Sequence, residues 1–370
     1  MKVAFYSTTA EDLFRYRLPV AKRLREAGYA VLFVGPAGAG AAGIEQEGFN
    51  YRRLASSFDR MAILSDFAAG LQLGRIYRDE APDIAHHYTL RGLVRGAVAA
   101  RLAGVRWVAQ SLPPLSDHAG RSRLLKPEGH ALLRFALRHA EVTFRTHQDR
   151  QRLLSIDCVR PEQTHIIASS GIDLPAHPYV EEPARTPVVA MIGPLRSADA
   201  IGAFVEAARR LKSNGVDARF VLAATRAEPP AVPRPQLDRW QEEGLIEWWG
   251  FRQDEVHLVE IVHVACMLEG YAGELPDLLL EAAAAGRPIV AIDDPAVRHL
   301  VRNGETGGII PPFDTDALER ALDPLLRDGE RRRCLGKNAR RLVENEFSAD
   351  WVARQTLAVY EQLFQKGRDV

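Results

Sequence analysis

The segment Gly273-Glu274-Leu275-Pro276-Asp277-Leu278-Leu279-Leu280-Glu281-Ala282 carries the residue types best placed to do chemistry. Its pattern predicts a loop opening into a helix, with Pro276 near the first turn, where a missing N–H costs nothing. The free N–H groups and the helix dipole at such an end attract a phosphate. Glu281 falls two turns further on, among Leu and Ala. A carboxylate there either reaches solvent or finds hydrogen-bonding partners such as ribose hydroxyls. A plainer reading stands beside this one: Asp277 and Glu281, spaced i and i+4, mark one solvated stripe.

Three histidines are candidates to face a second substrate. His86 and His87 end a predicted strand, and His118 lies in Ser116-Asp117-His118-Ala119-Gly120. Each also has a purely structural reading, since a lone histidine is commonly part of a core. The run Gly38-Ala39-Gly40-Ala41-Ala42-Gly43 matches the dinucleotide fingerprint, and Asp59 lies at about the expected distance. It follows the second predicted strand rather than the first, however, so it is read as a flexible loop. Cys158, Cys266 and Cys334 are scattered and form no paired motif, which fits small thiols in a reducing compartment.

The elements that must position these residues are strands and helices in alternation. Short β-branched runs at Val3–Ser7, Val31–Gly35, Ile84–Tyr88, Arg106–Leu112, Val142–Thr146 and His165–Ser169 read as strands. Amphipathic stretches such as Leu18–Ala27 and Leu90–Ala103 separate them, the latter closed by Gly104 as a C-cap. The proline-rich stretch from Leu174 to Pro187 precludes a regular element and is read as a linker. Alternation then restarts with Val188–Gly193, Arg219–Ala224, Ile246–Gly250, Val264–Leu268, Ile289–Asp293 and Gly308–Pro311. The expectation is two α/β domains with parallel sheets, at 1–173 and 188–348 about a linker at 174–187. A last helix, 349–366, has spare apolar residues with which to pack back on the first domain.

At 370 residues the chain is long enough for two cores. No apolar run approaches the roughly 18–20 residues that span a bilayer, and the N-terminus reads as a strand rather than a signal. Net charge is zero but uneven: residues 1–180 hold 24 Lys and Arg against 17 Asp and Glu, the remainder 24 against 31. The excess concentrates between Arg121 and Arg152. Such asymmetry steers an anionic partner or holds a protein on an anionic membrane face, unless it is simply a solvated helix face. Without interleaved aromatics it does not suit nucleic acid.

The ordered motifs carry a family resemblance. Leu275 to Ala282, Ala285-Gly286-Arg287-Pro288-Ile289-Val290-Ala291 and Gly304 to Asp314 resemble the donor-domain core of family 4 glycosyltransferases. Arg17-Leu18-Pro19-Val20-Ala21 and Pro82 to Thr89 resemble the branch that adds amino sugars to lipid-diphosphate carriers, and Gly171-Ile172-Asp173 resembles its hinge motif. The resemblance implies the GT-B fold, two Rossmann-like domains facing a cleft, and retaining transfer in polysaccharide or glycoconjugate assembly. It implies a nucleotide-sugar donor, a UDP-sugar first, with no obligatory cofactor or metal. A glycan or polyprenyl-diphosphate-linked acceptor would lie on the first domain. The expected location is the cytoplasm, with peripheral contact at the inner membrane face through the basic first domain.

The same resemblance assigns roles. Glu281 takes the ribose-binding position, with Leu275, Pro276 and Gly193 beside the nucleotide. The family's Glu-Gly pair, whose Glu contacts the donor sugar, aligns with Gly273-Glu274, so Glu274 inherits that role with a shift of one. Its diphosphate-binding Arg and Lys align with Pro194 and Asp199, leaving Arg196 and Arg226 as substitutes. Asp199 instead reads as the N-cap of a helix Ala200–Lys212. Glu274, His87 and His118 are the catalytic candidates. Two alternatives stay open: a non-catalytic descendant that binds or scaffolds a partner transferase, and a nucleotide-sugar epimerase of the same architecture.

Overall fold

The computed structural model describes residues 1–54, 62–115, 123–225, 229–251, 255–270 and 275–366. They form two compact units, one of residues 1–171 with 349–370 and one of residues 172–348.

In the first unit, β1 (Lys2–Tyr6), β2 (Ala30–Pro36), β3 (Asn50–Leu54), β4 (Ile84–Tyr88), β5 (Trp107–Ser111), β6 (Ala140–Phe144) and β7 (Thr164–Ile166) form one sheet ordered β3-β2-β1-β4-β5-β6-β7. Every pairing is parallel. Helices therefore cover both faces, and a strand such as β4 is buried at all five positions. The helix Leu90–Ala103 begins with the Thr89 side chain accepting from Gly92 N and ends at Gly104, whose φ of 69° is left-handed. The last helix, Ala349–Lys366, lies in this unit, burying Val352, Tyr360 and Leu363 in the same core as Phe5 and Phe33.

In the second unit, β8 (Val188–Gly193), β9 (Arg219–Ala224), β10 (Glu247–Phe251), β11 (Val264–Met267), β12 (Ile289–Ile292) and β13 (Gly307–Ile310) pair in parallel in the order β10-β9-β8-β11-β12-β13. The proline-rich stretch is irregular, as expected, but it is strapped to this unit. Arg287, 2% exposed, donates to the carbonyls of Val180, Glu181, Val259 and Glu260.

Two local expectations are corrected. The Gly38–Gly43 run is not a loop: Gly38 precedes a helix, Ala39–Gln46, and a Cβ on Gly40 would lie 2.5 Å from the Ala10 carbonyl oxygen. Gly40 lets backbone pack on backbone, and Gly43 makes room for the Phe14 ring. The N-cap of the helix after β8 is Ser197 rather than Asp199, and the helix runs Ala198–Ser213. Among the described residues no helix is long and apolar enough to cross a membrane.

Candidate functional site

The second sheet has a topological switch point. From β8 the chain passes to β9 and β10 on one side, then returns to place β11 on the other. At the carboxyl ends of β8 and β11 the two connections diverge and leave a crevice, where open α/β sheets take ligands.

Gly193, buried, ends β8. The loop after it turns through Leu195, fully buried with φ of 52°, and leaves Arg196 exposed with no partner among the described residues. The Ser197 hydroxyl then accepts from Ala200 N at 3.2 Å, and Asp199 stands exposed in the first turn of the helix. Across the crevice, just beyond β11, Glu269 is 9% exposed and its Oε1 accepts from Ser197 N at 2.9 Å.

The helix expected after Pro276 runs Asp277–Ala284, with Pro276 as its N-cap and Leu275 buried before it. Glu281 is 7% exposed, which removes the solvated-stripe reading. Its Oε1 lies 3.8 Å from Nε2 of His177, whose Nδ1 is 3.0 Å from the Asp173 carbonyl oxygen. Arg340 binds the carbonyls of His177 and Ala284 together, fixing the irregular stretch against the end of this helix. Glu274, Arg226 and His118 lie outside the described residues, as does Asp59. Glu281, Leu275, Pro276, Gly193 and Arg196 all belong to the second unit.

In the first unit the adjacent histidines part company, because successive side chains on a strand point to opposite faces. His86 lines a small cavity of about 20 Å³ together with Arg17, Tyr88, Ser111, Thr143 and Arg145. Its Nδ1 lies 2.8 Å from the Tyr360 hydroxyl and its Nε2 2.7 Å from Ser111 Oγ, which in turn meets Thr143 Oγ1. Burial, then the charge of Arg17, then that of His87 push His86 well below the usual histidine range. Arg17 ends a π-type turn, Leu13–Arg17, and its guanidinium sits 4.1 Å over the Tyr88 ring.

His87 is turned into the core, away from the cavity that His86 lines. It is wholly buried, its Nε2 3.1 Å from the Tyr77 hydroxyl, with the rings of Tyr6 and Tyr77 packed on it. Burial lowers it to about 3, against a smaller opposing effect of Gln110. A Cβ on Gly96 would lie 2.4 Å from its ring, so the neighbouring helix closes the side chain in.

Sequence reasoning did not single out Glu269 or His177. No local pattern marks Glu269, because its bond to Ser197 spans 72 residues. His177 lay in a stretch read only as a linker. Among the described residues no group of three or more His, Cys, Asp or Glu is placed to hold a metal.

The profile of "Glycosyl transferases group 1" matches residues 177–342, and that of "Glycosyl transferase 4-like domain" matches residues 15–169. The chain is 30% identical over 186 residues to an alpha-D-kanosaminyltransferase of Streptomyces kanamyceticus, covering 48% of this chain and 46% of the relative. It matches a mycolicibacterial MMP alpha-(1->4)-mannosyltransferase at 30% over 51% of that protein, so these matches span about half the relatives' length. With the N,N'-diacetylbacillosaminyl-diphospho-undecaprenol alpha-1,3-N-acetylgalactosaminyltransferase of Campylobacter jejuni it shares 21% identity over 99% of this chain and 100% of the other. Among solved structures, Anabaena HepE with UDP and glucose superposes with a TM-score of 0.74 at 19% identity, over 98% of this chain and 99% of that one. The two parallel-sheet units are those of the GT-B fold, and the chain belongs to the group 1, family 4 glycosyltransferases.

Proposed function

We propose that the chain transfers a sugar from a UDP-sugar, held in the second unit, to a hydroxyl acceptor on a glycan or a lipid-diphosphate carrier, with retention at the anomeric carbon. The observation that carries this reading is Glu281, buried in the helix that follows Pro276 in the second unit. A buried carboxylate is held by hydrogen bonds, and the two hydroxyls of a ribose are donors suited to it. In this reading Glu281 binds ribose and Leu275 and Pro276 border the nucleotide. Gly193 gives the diphosphate room, Arg196 with Arg226 offsets its charge, and Glu274 contacts the sugar. No residue of this set calls for a metal, and stabilisation of the leaving diphosphate falls to protein cations and helix N-termini.

The acceptor belongs on the first unit, where His86, which lines the small cavity, replaces the enclosed His87 and His118 remains a candidate. The membrane face of that unit is read at Leu102, Leu132 and Phe135, which are 59%, 44% and 44% exposed. The Arg101 guanidinium stands 3.9 Å over the Phe135 ring, with Arg134 and Arg138 exposed beside it. Apolar side chains rimmed by arginines suit an anionic bilayer surface. Co-sedimentation with phosphatidylglycerol vesicles that Phe135→Asp leaves unchanged would remove this part.

The test of the donor reading is calorimetric titration with UDP, with GDP as control. UDP is expected to bind selectively, and Glu281→Ala to weaken it by about a hundredfold, the worth of two charge-assisted hydrogen bonds at the lower end of their range. Unchanged affinity in the variant would show that the ribose lies elsewhere. The relatives matched give no support to a non-catalytic scaffold. Transfer to an acceptor, absent when the acceptor is omitted, separates the proposed activity from an epimerase.

A further inference from the structure

We infer that Glu269 occupies the seat of the donor's diphosphate as a resident anion, so that nucleotide enters by displacing it and this one carboxylate sets the affinity for nucleoside diphosphates. The inference rests on the reading of the second unit as the donor unit.

The geometry at the switch point leads to it. A phosphate arriving at the carboxyl ends of β8 and β11 meets the N-terminus of the helix Ala198–Ser213, sixteen residues long. There the Ser197 hydroxyl is already engaged with Ala200 N, and the Ser197 amide donates across to the end of β11. Glu269 has taken that amide at 2.9 Å. Its carboxylate is an anion at a helix N-terminus, the same partnership a phosphate would make. The carboxylate is also nine-tenths buried, so it is not a surface group that happens to touch the loop.

Two anions cannot share that amide. Repulsion at hydrogen-bonding separation, in a partly desolvated crevice, is far less screened than between exposed charges. Asp199, exposed in the first turn, adds charge of the same sign. Arg196 is the cation nearest in the chain, but it is exposed and returns little. The nucleotide must therefore move Glu269 off Ser197 N before its diphosphate is seated, and binding is weakened by the cost of that exchange.

The experiment is calorimetric titration of the full chain with UDP and with uridine, comparing the wild type with Glu269→Gln and Glu269→Ala. The Gln side chain keeps an oxygen for Ser197 N and removes only the charge, so the fold is retained while the competing anion is lost. Both variants are expected to bind UDP about tenfold or more tightly than the wild type, with uridine affinity unchanged because uridine carries no phosphate. Equal or weaker UDP binding by both variants overturns the inference, and so does an equal gain for uridine, which would place the effect on the fold. If UDP binds neither the wild type nor the variants, the donor reading itself fails, and the inference with it.

Discussion

His86 in the first unit and Arg287 in the second are both almost wholly buried, at 3% and 2% exposure, yet they are held in different ways. His86 is kept neutral within a set of hydroxyls, from Tyr360, Ser111 and Tyr88. Arg287 keeps its charge and spends it on four backbone carbonyls of the segments around it. Glu269 follows the second pattern, its carboxylate resting on a backbone amide. These residues thus show two ways to bury polarity, by neutralising it at His86 and by giving a charge to the main chain at Arg287 and Glu269. A neutral buried imidazole is vulnerable to protons. A buried charge bound to the backbone is vulnerable to truncation, because its partners cannot move away.

The largest effect expected from this contrast is at Arg287. Arg287→Ala strands four carbonyls and opens a cavity, and is expected to cost about 3–5 kcal/mol of unfolding free energy, read as a shift in the urea midpoint. The strap from Val180 to Glu181 should lose protection from hydrogen exchange at the same time. A cost under about 1 kcal/mol would mean that the carbonyls find water instead, and the contrast would break.

Acid should act through the buried imidazoles. His86 and His87 both bind protons more weakly when folded than when unfolded, burial being the first cause in each. Below the unfolded value near 6.5 the unfolded chain takes up protons that the folded chain refuses. The stability they give is therefore complete above that pH and is lost as pH falls towards the folded value, about 3 for His87. Each histidine contributes a loss of about 1.4 kcal/mol per pH unit across that window. Replacing His87 by Gln should flatten the acid limb; an unchanged slope between pH 6 and 4.5 would show that the imidazole is not the group being titrated.

The strands that position both sites were legible because burial on both faces writes a nearly unbroken apolar run. Ile84–Tyr88 and Val188–Gly193 fall at the expected residues. The outer strand Asn50–Leu54 was not foreseen, since three of its five positions are exposed and Arg52 and Arg53 give no strand pattern. The Gly38–Gly43 helix was read as a loop because propensity disfavours it, and only the approach of Gly40 to the Ala10 backbone explains it. Of the site, Pro276 and the helix after it followed from local rules. Which of two adjacent histidines faces the cavity did not, because alternation fixes that they differ and not which way each points. Glu269 was beyond reach for a different reason: its partner is set by strand order, which places β11 beside β8.

The smallest effect expected bears on that last contact, and it separates side chain from backbone. Ser197→Ala removes the cap on Ala200 N and should cost about 1 kcal/mol, as other serine caps do. Thr146, which caps Asp149 N at 3.1 Å in the first unit, should cost the same when replaced by Ala. The two variants are then matched in stability, but only Ser197→Ala alters a residue of the proposed donor seat. If that seat is the Ser197 amide, Ser197→Ala leaves it in place, and UDP affinity should stay within about twofold of the wild type, as in Thr146→Ala. A tenfold loss confined to Ser197→Ala would assign the phosphate to the hydroxyl. Glu269 would then hold the loop in shape, and its carboxylate would not compete for the ligand.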